Sequence, residues 1–387
     1  MADSQESKRR RIREWGIIPG VLPTGDKNSI TDIKGVKVGH VTIMKGDGKL
    51  VPGKGPIRTG VTAILPHSDN IFSNPVEAGV HVINGYGKPI GLEQIKELGR
   101  LSSPILLTST LNVSRVADAL IDYVLKDNPE IGIKGPSFNP VVLECNDSYL
   151  NDLQGRHVRA QHVHRALISA SSDRVSEGDV GAGTGMTAFG FKGGIGSASR
   201  KIKLDSTEYN LGALVLSNFG RREELKINGY PLYQLDQDLV NLHETGGGDG
   251  SVIVVLATDL PLNNRQLTRV ASRANIGLGR VGSLADNGSG DFALAFSTTN
   301  QYKRNDTGKI ILNSVDTQIN ELPANLTESE LMKELFQAVV ESTEEAVLNS
   351  LFMASTVRGR DGHKARGLPG DQVAAALERN RLCRPNR

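Results

Sequence analysis

Cysteine is nearly missing from this chain: Cys145 and Cys383 are the whole supply among 387 residues. Two thiols cannot build a disulfide framework or a cysteine-based zinc site, and they point to a reducing, cytoplasmic setting. Aromatic residues reach only 4%, too few for a platform on which bases or sugars stack. An excess of one charge is lacking too. With 45 basic and 43 acidic side chains the net charge is +2, so no overall field recruits nucleic acid or a membrane surface. Apolar runs fall short of the roughly 20 residues a membrane helix needs. Residues 1–14 lack the apolar core of a secretory signal. Their basic run, Lys8-Arg9-Arg10-Arg11 with Arg13, reads as a solvated, partly disordered tail rather than a nuclear address. His162 and His164 lie two apart on a helix and face different directions, and the other histidines show no ligand spacing, so no metal is expected.

Glycine is what the chain has in quantity, 43 residues, many beside β-type runs. Alternating or continuous apolar patterns predict strands at 36–43, 60–66, 80–87, 104–110, 140–144, 211–220, 251–258 and 292–297. Two further strands, joined by a Gly193-Gly194 turn, are read within 189–199. Helices are predicted at 91–98, from Asn112 or Ser114 (Val113, Val116, Ala117, Leu120 and Val124 on one face), at 157–170 and at 263–274. The longest starts at Thr327, with Glu330 completing a capping box. This mixture is α/β or α+β, with helices covering sheet faces. The motif Gly277-Leu278-Gly279-Arg280-Val281-Gly282 matches a dinucleotide fingerprint in letters only. A helix ending at Ala274 precedes it and a Gly/Ser-rich loop follows, the reverse of the strand-then-helix context required, so no cofactor is expected.

The stretch that carries chemistry is Thr245-Gly246-Gly247-Gly248-Asp249-Gly250-Ser251, followed by Val252-Ile253-Val254-Val255-Leu256. A serine stands at the first position of a core strand, directly after a backbone with almost no side chain. Glycine leaves the Gly250 carbonyl unshielded, which suits attack by the Ser251 hydroxyl on its own preceding peptide bond. Cleavage there gives Ser251 a free α-amine with a pKa of about 7.7–8.0, a base that works near neutrality. By itself the stretch reads first as a glycine-rich loop feeding a strand. Other polar residues at strand ends are Asn218, Ser289 and Asp291, with Glu144 and Tyr149 adding a carboxylate and a phenol. Each alone fits a structural turn; together they supply a nucleophile, a relay hydroxyl, an orienting acid and an oxyanion donor.

Across residues 15–370 the chain resembles the self-cleaving L-aminopeptidase/D-esterases and the related β-aminopeptidases. The resemblance rests on Asn28-Ser29-Ile30-Thr31-Asp32 with Gly35-Val36-Lys37-Val38-Gly39-His40, on Val180-Gly181-Ala182-Gly183-Thr184-Gly185-Met186 leading to Phe191-Lys192-Gly193-Gly194-Ile195-Gly196, and on Gly248-Asp249-Gly250-Ser251 and Gly288-Ser289-Gly290-Asp291. It implies a four-layer αββα sandwich, layered like N-terminal-nucleophile hydrolases but differently connected. It also implies cleavage between Gly250 and Ser251 into an α chain 1–250 and a β chain 251–387, and homo-oligomers of αβ units, tetramer-like. By position Ser289 and Asp291 resemble the serine and acid that assist the nucleophile, and some relatives carry Glu where Asp291 stands. Asn218 resembles the oxyanion-hole asparagine. Glu144 resembles the carboxylate that meets the substrate's amine, and Tyr149 a tyrosine near the site. Cys145-Asn146-Asp147-Ser148 departs from the usual Thr and Gly. The expected organisation is a basic tail 1–14, one catalytic domain 15–370 and a charged tail 371–387. The expected activity is removal of N-terminal L-α, D-α or β residues from small peptides, amides or esters, with no metal or cofactor. Two alternatives stand beside it: a self-cleaving acyltransferase like the ornithine acetyltransferases, which use threonine, and an inactive binding or scaffold relative.

Overall fold

The computed structural model describes residues 9–235, 250–305, 309–311, 322 and 326–380. Among these, ten strands build two main sheets. In chain order they are Lys37–Lys45 (β1), Ile57–Leu65 (β2), Val76–Gly85 (β3), Arg100–Leu101 (β4), Ile105–Ser109 (β5), Val141–Cys145 (β6), Gly194–Leu204 (β7), Thr207–Asn218 (β8), Ser251–Thr258 (β9) and Gly290–Gln301 (β10). One sheet has the order β1-β2-β5-β6 and the other β4-β3-β10-β9-β8-β7. All neighbours run antiparallel except β5 with β6 and β9 with β10. The helices that matter are Val113–Asp127 (α1), Ala160–Ile168 (α2), Asn264–Arg280 (α3), Glu328–Phe352 (α4) and Gly370–Arg379 (α5).

Strand alternation sorts the side chains into layers. In β9, Val252, Val254 and Leu256 join one core with Leu267, Val270 and Ala274 of α3 and Leu335, Val339 and Val347 of α4. Ile253, Val255 and Ala257 face the other way and pack with Ile105, Leu107, Val141 and Leu143 of the four-stranded sheet. Val61, Ala63, Leu106 and Val142 turn their backs on that middle core and meet Val116 and Leu120 of α1 and Val163 and Leu167 of α2. The result is helix, sheet, sheet, helix: the expected αββα sandwich. Each fully buried aliphatic side chain adds about 1.5–3 kcal/mol, so the three apolar layers together define the sandwich.

Helix α4 begins as expected, with Thr327 accepting from the Glu330 N–H in a capping box. From Ala338 to Phe352 every residue is buried, so it is the central outer helix and not a half-exposed one. Several expectations need correction. Helix α3 does not stop at Ala274 but continues through Gly277-Leu278-Gly279-Arg280. Gly277 is tolerated there because a Cβ would lie 2.7 Å from Thr343 Cβ and 2.8 Å from the Val340 carbonyl of α4, so the crossing requires glycine. Gly193-Gly194 does not make a hairpin: Phe191–Lys192 pairs with Thr187–Ala188, while β7 pairs with β8.

The two expected tails are not tails in the described residues. Ile12–Trp15 forms a 3-10 turn with Ile12 and Ile17 fully buried. Arg11 pairs with Glu177 at 2.7 Å and Arg13 with Glu345 at 2.8 Å, so these arginines are neutralised inside the protein. Residues 371–379 belong to α5, whose Val373, Ala376 and Leu377 are buried in the outer core. Residues 1–8, the run 245–249 and Cys383 lie outside the described residues.

Candidate active site

Antiparallel pairing sets Asn218, the last residue of β8, directly across from Ser251, the first of β9. Paired residues share a face, and Ser251 has the parity of Ile253, so both side chains point between the two sheets. Ser251 is 3% exposed. Its Oγ accepts two N–H groups, Nδ2 of Asn218 at 3.3 Å and the backbone of Asn146 at 3.3 Å. The amide of Asn218 is oriented by its other end, since Oδ1 accepts the Thr187 N–H at 3.0 Å. With the oxygen committed there, the NH2 group has to face Ser251. A donor aimed at a nucleophile in this way is placed to stabilise charge developing beside it.

The other neighbour of Ser251 is β10, which runs parallel with Gly290 opposite Ser251. Asp291 therefore points to the opposite face of the sheet from the Ser251 side chain. Its Oδ1 accepts from the Ser289 hydroxyl at 2.6 Å and from the Val252 N–H at 3.1 Å. Asp291, oriented by the Ser289 hydroxyl, thus attends the backbone N–H of Val252, one residue from the nitrogen of Ser251. Burial raises Asp291 to about 6, against the lowering pull of Ser289 and Val252. The Gly250 carbonyl, which precedes the nucleophile, accepts the Gly290 N–H at 3.2 Å. Gly250 is required by packing: a Cβ would sit 2.8 Å from Phe219 Cα and 3.1 Å from the Asn218 carbonyl.

From the facing sheet β6 brings the segment after Leu143. Glu144 is 4% exposed; Oε1 accepts the Lys88 N–H at 2.8 Å and Oε2 the Thr110 hydroxyl. The Cys145 thiol is buried, with Sγ 3.6 Å from the Leu216 carbonyl. Burial raises it well above the ordinary thiol value; the Ser251 hydroxyl opposes this, and the negative groups Glu144, Asp291 and Asp147 add to it. Burial likewise lifts Asp147 to about 7, with Thr59 and Asn151 hydrogen bonds working the other way. The neighbourhood of the nucleophile is thus rich in carboxylates, a setting that suits a substrate bearing a free ammonium.

The structure therefore brings Ser251, Asn218, Ser289, Asp291 and Gly250 together and sets Glu144 at the edge of the same strand cluster. The Tyr149 ring stacks on His363 at 4.6 Å, and its carbonyl meets His363 Nδ1. Sequence reasoning missed the Asn146 N–H, because a main-chain donor has no residue signature. It also missed Thr187, whose role depends on a fold-back of 31 positions onto Asn218. Among the described residues no group of three or more His, Cys, Asp and Glu could hold a metal ion, and no helix is long and apolar enough to cross a membrane.

A four-layer αββα sandwich with a serine heading a central strand is the layering of the N-terminal-nucleophile hydrolases. Residues 28–365 match the model of peptidase family S58, and the chain belongs to that family. It is a serine aminopeptidase. It is 39% identical over 396 residues to the β-peptidyl aminopeptidase BapA of Sphingosinicella microcystinivorans, an alignment covering 98% of this chain and 95% of the relative. Among solved structures it resembles the PH0078 protein from Pyrococcus horikoshii OT3, at 51% identity and TM-score 0.87, covering 96% of this chain and 99% of that one. It also resembles the L-aminopeptidase D-Ala-esterase/amidase of Ochrobactrum anthropi, at 35% identity and TM-score 0.85 over 97% and 99%. That enzyme is described as a prototype serine aminopeptidase and a variant of the Ntn hydrolase fold.

Proposed function

We propose that the chain cuts itself between Gly250 and Ser251, and that the β chain beginning at Ser251 then removes N-terminal residues from small peptides, amides or esters. The observation that carries this reading is the pairing at the junction: the Ser251 hydroxyl is held by two N–H donors while the Gly250 carbonyl behind it accepts the Gly290 N–H. That last bond polarises the carbonyl the hydroxyl must attack. Self-cleavage proceeds by Oγ adding to the Gly250 carbonyl, the peptide nitrogen leaving as the new α-amine, and water releasing the resulting ester.

In turnover the α-amine takes the Ser251 proton as Oγ attacks the substrate carbonyl. Ser289 and Asp291 hold the amine on their side of the sheet. Asn218, with the Asn146 N–H, donates to the oxyanion, and Glu144 pairs with the substrate's ammonium. Tyr149 belongs to the rim, stacked on His363. The β-peptidyl relative supports β-amino residues among the accepted substrates, beside L-α and D-α residues. We infer further that the enzyme works in the cytoplasm as an oligomer of αβ units, formed from chains 1–250 and 251–387 of one catalytic domain. Intact-mass spectrometry of the purified protein should show two pieces that split at residue 250, and amino-acid p-nitroanilides should be hydrolysed. A single stable mass for all 387 residues, or acyl transfer to ornithine without hydrolysis, overturns the reading.

A further inference from the structure

Lys192 is fully buried, and its ammonium donates to three backbone carbonyls, those of Gly183, Met186 and Gly193, each at 2.8 Å. Three acceptors match the three protons of an ammonium group. Burial draws Lys192 down to about 7, while Asp179 and Asp147 hold it up. The three carbonyls accept its hydrogen bonds, and Asp179 and Asp147 lie near enough to favour the charged form. Those carbonyls lie at both ends of the turn that contains Thr187. The Gly193 N–H closes the same turn by donating to the Met186 carbonyl at 3.1 Å. One residue past Met186, the Thr187 N–H fixes Oδ1 of Asn218, and Asn218 Nδ2 meets Ser251.

We propose that Lys192 is a positioning residue of the active site, acting through the Met186–Thr187 turn to hold the Asn218 amide in the orientation that presents its NH2 group to Ser251. Removing the ammonium takes away the one donor that the Gly183, Met186 and Gly193 carbonyls share. The turn then relaxes, Thr187 loses its hold on Oδ1, and the amide is free to rotate. This inference rests on the proposed hydrolysis at Ser251, and a control separates the two. If the wild-type enzyme does not hydrolyse a p-nitroanilide, that reading fails; if it does, the variants below judge Lys192 alone.

The test is a double-mutant cycle on the processed enzyme. Lys192→Met should lower kcat by about 100-fold with KM changed less than about threefold, the signature of a lost transition-state contact. Lys192→Gln, which keeps donors for part of the carbonyl set, should fall between Met and wild type. In an Asn218→Ala background, either Lys192 change should lower kcat less than about threefold, because the residue it positions is already gone. Equal losses in both backgrounds, an effect confined to KM, or unchanged kcat would overturn the proposal. So would failure of both Lys192 variants to fold, which would make Lys192 a residue of the core only.

Discussion

Against the outer face of the six-stranded sheet, the Arg200 guanidinium is fully buried and paired with Glu341 at 3.0 Å and Glu345 at 2.8 Å, with Arg13 a second cation on Glu345. Where Ser251 begins its strand, Asp291 of the same sheet and Asp147, which follows β6 of the facing sheet, are just as buried, but hydroxyl and amide groups stand where the arginines would be. The two regions answer burial in opposite ways. Burial pushes Glu345 upward, but Arg200 and Arg13 outweigh it and hold the carboxyl below its ordinary range. Glu341 is also held low, by Gln337, the Val21 and Leu22 N–H groups and Arg200 against burial. For Asp291 and Asp147 burial wins, giving about 6 and about 7. Glu177, with Arg11 as its cation, stays raised because burial outweighs the guanidinium there. Glu345, paired with both Arg13 and Arg200, anchors the N-terminal arm on α4. The acids held by hydroxyl and amide groups sit near neutrality, where a carboxyl can exchange a proton or receive an ammonium.

The largest expected effect removes the nucleophile from the second region. Ser251→Ala should leave one uncut chain and lower hydrolysis by roughly 10⁴-fold or more; cleavage into two bands on a denaturing gel would break the assignment. In the first region, Glu345→Gln should cost about 3–5 kcal/mol in denaturant unfolding, since it strands buried guanidinium charge. Its kcat should stay within about twofold of wild type. Because the folded value of Glu345 is lowered, its contribution is present above the unfolded value of about 4.3 and is lost as pH falls through the folded one. A variant as stable as wild type at pH 7 would show that the pairing anchors nothing.

Asn218→Ala should lower kcat by about 10²–10³-fold, equivalent to about 2.7–4 kcal/mol, with KM within about threefold. Steady-state kinetics that moved only KM would remove Asn218 from the oxyanion. The smallest expected effect concerns stability at Asp291. Its folded value is raised, so its contribution to folding is full below the unfolded value near 3.8 and is lost as pH rises through about 6. Asp291→Asn should therefore unfold about 1–2 kcal/mol later than wild type at pH 7.5, the gain shrinking toward pH 4, while activity drops. A gain that did not depend on pH would mean the acid's desolvation is not the source.

Much of this architecture is legible in periodicity. The continuous apolar runs along 251–258 and 292–297, the apolar face at Val113, Val116 and Leu120, and the Thr327–Glu330 cap all appear as read. What failed to read has a common cause. Gly277 and Gly279 look like a loop because glycine lowers helix propensity, yet α4 crosses so close that only glycine fits at 277. The arginines at 11 and 13 look solvated because their partners, Glu177 and Glu345, lie 166 and 332 positions away. Local sequence cannot carry information of that range.

The amino-acid order alone determined that a serine follows glycine at the head of an apolar strand, and that asparagine, serine and aspartate sit at other strand ends. Those are one-residue properties of type and spacing. Only tertiary structure decided that β8 ends opposite Ser251, that β10 runs parallel and turns Asp291 to the other face, and that Asn146 lends its N–H from a different sheet. Register and sheet stacking are set by which buried faces pack together, and an active site assembled across three strands inherits its geometry from that packing.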